Sequence, residues 1–347
     1  MNTRFGTVVA SIGAKDAIEY AIESEKLGFD SVWVTDHLID DGGIKVEPWS
    51  IFGALSSITK KIMMCTAVTD AIRMHPARIA HTVATLDQLS SGRVALGIGA
   101  GEAMNLTPFG LPFEDPKNRS KRLGEAIQAI RLLWKSTRKS PVSFDGQFYQ
   151  LKNAWLDIQL GSPKTPPIYV GALGGNSTLK VAGRYGDGWL PWLNSPETYR
   201  MRLETVKEAA RSAGRDTKEM DFALYLYACL AEDEQEEKKA LNHTKRALLV
   251  EAHTLKLLGV DHPSVLGLPY QRMLVDDSTE KALINLEPLV PDEVARACIA
   301  VGSPKEIERT IAQFEKAGAT HIALQLLPQN SEHLKRFSEK VLPRLKS

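Results

Sequence analysis

The 347-residue chain has only three cysteines, Cys65, Cys229 and Cys298, far apart and odd in number. They form no metal-ligand or redox-pair spacing, so a disulfide framework, a zinc ribbon and dithiol chemistry are excluded and no metal site is expected. No run approaches the ~18 consecutive apolar residues of a membrane-crossing helix. The opening MNTRFGTVVASIGAKDAIEY lacks the long apolar centre of a secretory signal. Neither sign of charge dominates: 43 Lys and Arg stand against 42 Asp and Glu, a formal net charge of +1. That balance gives no electrostatic footing for nucleic acid or an anionic membrane. The expectation is a soluble cytoplasmic protein. At 43% apolar residues it can build a large core.

The chain is rich in one rhythm. RFGTVVAS from Arg4 is a β-type apolar run. AKDAIEYAIESEKLG follows, with Ala14, Ala17, Ile18, Ala21 and Ile22 at helical spacing and Gly28 as the stop. FDSVWVTDH from Phe29 is again a strand, apolar on both faces as parallel strands are. The unit repeats: a helix at 48–60, IMMCTAVT from Ile62, a helix ending at Gly92, RVALGIGAG, then SKRLGEAIQAIRLLWKS. IYVGALGG at 168–175, DGWLPWL from Asp187, MDFALYLYACLA from Met220 and ATHIALQLLP near the end continue it. Seven or eight strands, each followed by a helix, predict an α/β fold, a (β/α)8 TIM barrel forming one domain over residues 1–347; a doubly wound open sheet is the rival. Two insertions interrupt the rhythm. Residues 137–163 read as a hairpin around Asp145-Gly146, and residues 260–300 as a helical excursion.

In such a barrel the active site lies at the C-terminal ends of the strands. That rule selects Asp36 and His37, then Ala67, Val68, Thr69 and Asp70, then Gly99, Gly101 and Glu102, and then Gly171 to Asn176. His37 is a candidate acid–base group, with a structural histidine at a strand end as the alternative. Gly97, Gly99 and Gly101 clear side chains from the approach to Glu102, as a flat ring lying against backbone needs. Glu102 is otherwise a helix-start acid. Gly171 to Asn176 precedes a helix start, a phosphate cradle or a plain turn. Lys117, Arg119, Lys121 and Arg122 read as a solvated helix face that could guide an anionic tail. Trp189 and Trp192 are packing or substrate walls.

These motifs together resemble the bacterial-luciferase-like superfamily of flavin and deazaflavin enzymes, and more narrowly its branch that uses the deazaflavin coenzyme F-420. The resemblance rests on VTDH at 34–37, HPARIAHTVATLDQLSSGRVALGIGAGE from His75, YVGALGG from Tyr169, LKVAGRYGDGW from Leu179 and VGSPKEIERTIAQFEKAGATHI from Val301. It implies that Asp36 and His37 lie beside the deazaflavin, that Glu102 lies near the reactive ring carbon, and that Asn105 contacts the cofactor. It implies a cis non-prolyl bond at Ala67–Val68, with Thr69 beside it, backing one face of the ring. Gly171, Ala172, Gly174 and Gly175 would surround the phosphate-bearing tail, and Gly99 and Gly101 would let the ring approach. The implied activity is F-420-dependent hydride transfer, of methylenetetrahydromethanopterin reductase type or a close paralogue. The substrate would be a methylene-pterin or another small carbonyl, imine or alcohol, with His37 and Glu102 handling protons. An FMN-dependent monooxygenase and a non-catalytic flavin-binding paralogue are the alternatives. Homodimers or higher homo-oligomers are usual in the superfamily. Two positions depart from its patterns: Asp41 stands where the sugar-phosphate and alcohol dehydrogenases have tryptophan, and Val8 where the pterin reductases have a first-strand glutamate.

Overall fold

The structure, a computed structural model, describes residues 3–39, 44–266 and 276–346. Asp41 lies outside them. The strands in chain order are β1 (Arg4–Val9), β2 (Ser31–Val34), β3 (Met63–Thr66), β4 (Thr69–Asp70), β5 (Val94–Gly99), β6 (Val142–Asp145), β7 (Gln150–Ala154), β8 (Ile168–Gly171), β9 (Gly188–Leu190), β10 (Asp221–Leu230), β11 (Ile299–Gly302) and β12 (His321–Leu326). A ring of parallel neighbours runs β1-β2-β3-β5-β8-β9-β10-β12 and returns to β1, closing a (β/α)8 barrel. The open-sheet rival is thereby excluded. All eight ring strands coincide with strands expected from the apolar runs.

Helices pack outside this ring, and their starts follow from sequence. Proline occupies the first helical position of Pro48–Ile58, Pro76–Ser90, Pro116–Trp134, Pro196–Ser212 and Pro304–Lys316. Its missing N–H is an orphan there in any case, and its fixed φ suits the first turn. Ser195 and Ser303 add reciprocal capping boxes. His75 caps Pro76–Ser90, its Nδ1 accepting from the Ala77 amide at 3.2 Å, so it is structural. Inside the ring, Val8, Trp33, Cys65, Ala95, Tyr169, Ala223 and Ala323 come from seven different strands and form one buried cluster. Trp33 and Tyr169 meet edge to face at 5.1 Å, with alanines filling the space around them.

β6 and β7 form the antiparallel hairpin, turning where the Gly146 amide meets the Tyr149 carbonyl at 3.0 Å. Among the described residues, 260–300 is mainly helical, but its end is not: β11 is a short parallel strand paired to the upper part of β10. The four apolar residues Ile299 to Val301 and Cys298 carry no strand period, so a buried strand and a buried helix turn looked alike in the sequence. Between β10 and β11 lie Glu234–Leu249, Ala252–Leu257, Asp277–Leu286 and Asp292–Arg296. They bury a second apolar cluster around Leu248, Leu255, Val290 and Ile299, which stands over one side of the barrel mouth.

Candidate active site

At the C-terminal mouth of the barrel is a cavity of about 1230 Å³. Every site residue selected from the sequence lines it. The strand ends supply one part of its wall, and the segment after β10 supplies the rest through His243, Arg246, Glu251 and His253.

The centre is a constellation around Asn105, which is 2% exposed. Its Oδ1 accepts the backbone amides of Leu38 and Ile39 at 2.6 and 3.0 Å. Those two bonds fix which end of the amide is which. Its Nδ2 then donates to His37 Nδ1 at 2.9 Å and to Glu102 Oε2 at 3.3 Å. The His37–Glu102 separation is longer, 3.5 Å. A ring nitrogen that accepts from Asn105 carries no proton, so the neutral imidazole keeps its proton on Nε2. Asn105 is therefore a positioning residue: it ties the loop after β2 to the segment after β5 and sets the tautomer of His37.

Asp36 does not face the cavity as a free carboxylate. Arg73 reaches its Oδ1 and Oδ2, both at 3.1 Å, donates to its carbonyl at 2.8 Å and also pairs with Asp70. Asp70 in turn accepts the Ile72 and Arg73 amides at 2.8 Å each. Burial works against the guanidinium charge, but the two aspartates hold its pKa above the usual value.

The Ala67–Val68 bond is cis, at the position the resemblance implies. β3 stops before it and resumes after it as β4, which pairs with β5 at Thr69 and Asp70. The glycines opposite pack against this segment. A Cβ on Gly97 would fall 1.8 Å from the Thr66 carbonyl oxygen, and Cβ atoms on Gly99 and Gly171 would each fall 2.8 Å from Val68 Cγ2. These glycines seat the Val68 side chain and the strand interruption, and Val68 lines the cavity. Gly101, at φ +81°, makes the turn toward Glu102.

Gly175 caps the helix Asn176–Tyr185 with no side chain on its amides, and a Cβ there would meet only Thr178 Oγ1, at 3.8 Å. Gly174 lies against a buried cation: its Cβ would be 2.7 Å from the Arg202 guanidinium. Arg202 is 4% exposed and donates to Asn194 Oδ1 at 2.6 Å and Thr254 Oγ1 at 2.9 Å. An open helix start over a buried guanidinium suits an anionic group. The cavity runs from this helix start to the Val68 segment, a span that fits a flat ring carrying a phosphate tail.

Arg119 corrects an expectation. It is buried, lines the cavity, donates to the Gly101 carbonyl at 2.8 Å and stacks on Phe113 at 4.4 Å. Its place on the apolar stripe with Leu123 and Ala126 was the available signal. Arg202 shares a stripe with Tyr199, Leu203 and Val206 in the same way. Trp189 is core, its indole donating to the Ala172 carbonyl at 3.0 Å, whereas Trp192 lines the cavity. Sequence reasoning passed over Glu251 altogether. It lies in ALLVEAH with no motif around it, yet the residue is buried, 6% exposed, at the cavity wall. Burial, together with the nearby Glu102 charge and against the pull of Arg202, pushes its pKa up to about 7.

A family model described as luciferase-like monooxygenase matches residues 1–321. The chain belongs to the luciferase-like family. Within it, this luciferase-like protein falls in the coenzyme F-420-dependent branch. It is 34% identical to an F-420-dependent glucose-6-phosphate dehydrogenase of Amycolatopsis mediterranei, over 96% of each chain. It superposes on an F-420-dependent secondary alcohol dehydrogenase in complex with an F-420-acetone adduct with a TM-score of 0.85, at 28% identity over the whole of both chains. Its fold also matches the coenzyme F-420-dependent tetrahydromethanopterin reductase of Methanopyrus kandleri, with a TM-score of 0.80 at 22% identity over the whole of both chains.

Proposed function

We propose that this chain exchanges a hydride between coenzyme F-420 and the carbonyl–alcohol pair of a small substrate that carries no phosphate. At the coarser level the chain is an F-420-dependent oxidoreductase of the luciferase-like family. The observation that carries the finer reading is the Asn105-fixed imidazole, whose Nε2–H is available at the cavity between the Val68 segment and Glu102. When bound, the coenzyme supplies the two-electron hydride chemistry. The open helix start at Gly175 with Arg202 beneath it would hold its anionic tail, and the Ala67–Val68 segment would back its ring. The His37 Nε2–H donates to the substrate oxygen and stabilises the charge that develops there.

The cations of the cavity argue against a sugar-phosphate substrate. Arg73 is held by Asp36 and Asp70, Arg119 bonds Gly101, and Arg246 is paired with Glu287 at 2.5 Å. No lysine lines the cavity among the described residues. A second reading, methylenetetrahydromethanopterin reduction, draws support from the cavity volume, which suits a pterin, and from the texture of 169–230 and 301–328. Against it, Val8 is fully buried in the apolar barrel interior, so the first strand offers no carboxylate.

The test is a pair of fluorescence titrations, with F-420 and with FMN, followed by F-420 turnover assays with secondary alcohols, glucose 6-phosphate and a methylene-pterin. Tighter binding of F-420 and turnover of an uncharged alcohol are expected. Preference for FMN with oxygen consumption would move the chain to the monooxygenases. F-420 binding without turnover of any substrate would make it a binding paralogue.

A further inference from the structure

We infer that Glu251 is a second acid–base group of this cavity, the one that exchanges the proton of the substrate oxygen while His37 holds that oxygen. The inference rests on the function proposed above and adds a catalytic residue that lies outside the strand-end motifs.

The need for such a group follows from His37. Its Nδ1 accepts from Asn105, so the ring is neutral, and a neutral imidazole that gave up its Nε2 proton would become an imidazolate. His37 can donate a hydrogen bond but is a poor net proton source. Asp36 and Asp70 are tied to Arg73, and Glu102 takes a bond from Asn105. Asp276, Asp277 and Glu280 line the cavity but are solvent-exposed.

Glu251 differs from all of these. It sits at the start of Ala252–Leu257, in the wall built by the segment after β10. Its carboxyl has no hydrogen-bond partner among the described residues. The charges that bear on it are Glu102, from the segment after β5, and Arg202, from Pro196–Ser212. His243 and Arg246 from Glu234–Leu249, His253 from its own helix and Glu280 share the cavity with it. Of these, Arg246 is engaged by Glu287, and the His253 pKa is lowered by burial and by Arg202 and Lys256. Burial and Glu102 together make ionisation of Glu251 costly, so near neutral pH it holds a proton part of the time.

In the reducing direction the carbonyl carbon gains a C–H bond from the hydride of the reduced coenzyme. The carboxyl O–H of Glu251 breaks and its proton forms the new alcohol O–H bond. The substrate is reduced by two electrons, the coenzyme is oxidised by two, and Glu251 is left as carboxylate. Oxidation of an alcohol is the reverse, with Glu251 carboxylate receiving the hydroxyl proton.

The experiment uses the full chain, its Glu251→Gln and Glu251→Asp variants, F-420 and a secondary alcohol. Wild type should show a kcat limb near pH 7. Glu251→Gln should lose that limb and fall about a hundredfold in kcat, with F-420 affinity by fluorescence quenching unchanged, and Glu251→Asp should restore the limb. Infrared difference spectra of the coenzyme-free protein between about pH 6 and about pH 8 should show a protonated-carboxyl band that disappears with rising pH and is missing from Glu251→Gln. A Gln variant that keeps the limb and kcat, or a wild type without the titrating band, overturns the inference while leaving F-420 dependence intact. A wild type that binds no F-420 overturns the proposed function, and the inference with it.

Discussion

The two ends of the barrel use the same residue types to opposite effect. At the N-terminal floor, Asp221 accepts from Tyr169 at 2.5 Å and Thr320 at 2.6 Å, pairs with Arg4, and lies 3.3 Å from His321 Nδ1. His321 continues to Ser31 at 2.7 Å, which accepts from Trp33 at 2.8 Å. At the mouth, histidines, carboxylates and arginines recur, but Glu251 faces a cavity without a hydrogen-bonded partner among the described residues. Burial opposes ionisation at both ends. At the floor, His321 and Arg4 outweigh it and hold Asp221 well below the usual carboxylate range; at the mouth nothing outweighs it, and Glu251 rises to about 7. The lesson is that a carboxylate becomes chemically poised when its partners are left out. Conversely, a fully bonded one only holds strands together, as expected of a barrel floor.

Four experiments would break or sharpen this contrast. The largest effect is expected from Glu102→Gln, which removes the carboxylate bonded to Asn105 beside His37; it should cut turnover about a thousandfold and leave F-420 affinity, read by fluorescence quenching, nearly unchanged. Unchanged turnover would remove Glu102 from the reaction. Asp221→Asn should cost about 3 kcal/mol in urea unfolding, because it leaves Arg4 without its counter-charge and disrupts the bonds that Tyr169, Thr320 and His321 make to the carboxylate, while kcat of the folded fraction stays near wild type. A kcat loss as large as that of Glu102→Gln would erase the distinction between floor and mouth.

The pH dependence of stability should carry opposite signs at the two ends. Asp221 has a depressed folded pKa, so its contribution is present above its unfolded value of about 4 and is lost as pH falls below it. Glu251 has a raised folded pKa, so the native state binds the extra proton and stability falls as pH rises from about 4.5 to about 7. Glu251→Gln should therefore be more stable than wild type at about pH 8, by about 3 kcal/mol, and equal to it at about pH 4.5. Urea midpoints at the two pH values decide this; a less stable variant at the higher pH would mean that Glu251 serves Arg202 instead. The smallest effect is expected from Gly171→Ala, which would push Val68 from its seat. F-420 affinity should fall about tenfold, or ~1.4 kcal/mol, with little change in Tm.

Much of this was legible beforehand. Parallel strands buried on both faces announce themselves as apolar runs, and Gly28, Gly92 and the N-terminal prolines mark where helices stop and start. Strand-end polarity pointed to His37 and Glu102 because the barrel places its chemistry there. Glu251 was illegible because its surroundings come from long-range contacts such as Arg202 to Thr254, and no periodicity encodes those. β11 was illegible because four apolar residues cannot declare a period. The glycines at 97, 99 and 171 did signal a close approach. What approaches them, the Thr66 carbonyl and Val68, depends on how neighbouring strands register.

The sequence by itself determined the barrel, the order of its strands and the strand-end residues that face its mouth, because those follow from local period, breakers and alternation. Tertiary structure alone decided which charged groups are bonded and which are left waiting. That outcome depends on contacts such as Arg73 to Asp36, 37 residues apart, Asn105 to His37, 68 apart, and Arg202 to Thr254, 52 apart. Local preference has no reach over such distances, and the chemistry of a carboxylate is set by what folds against it.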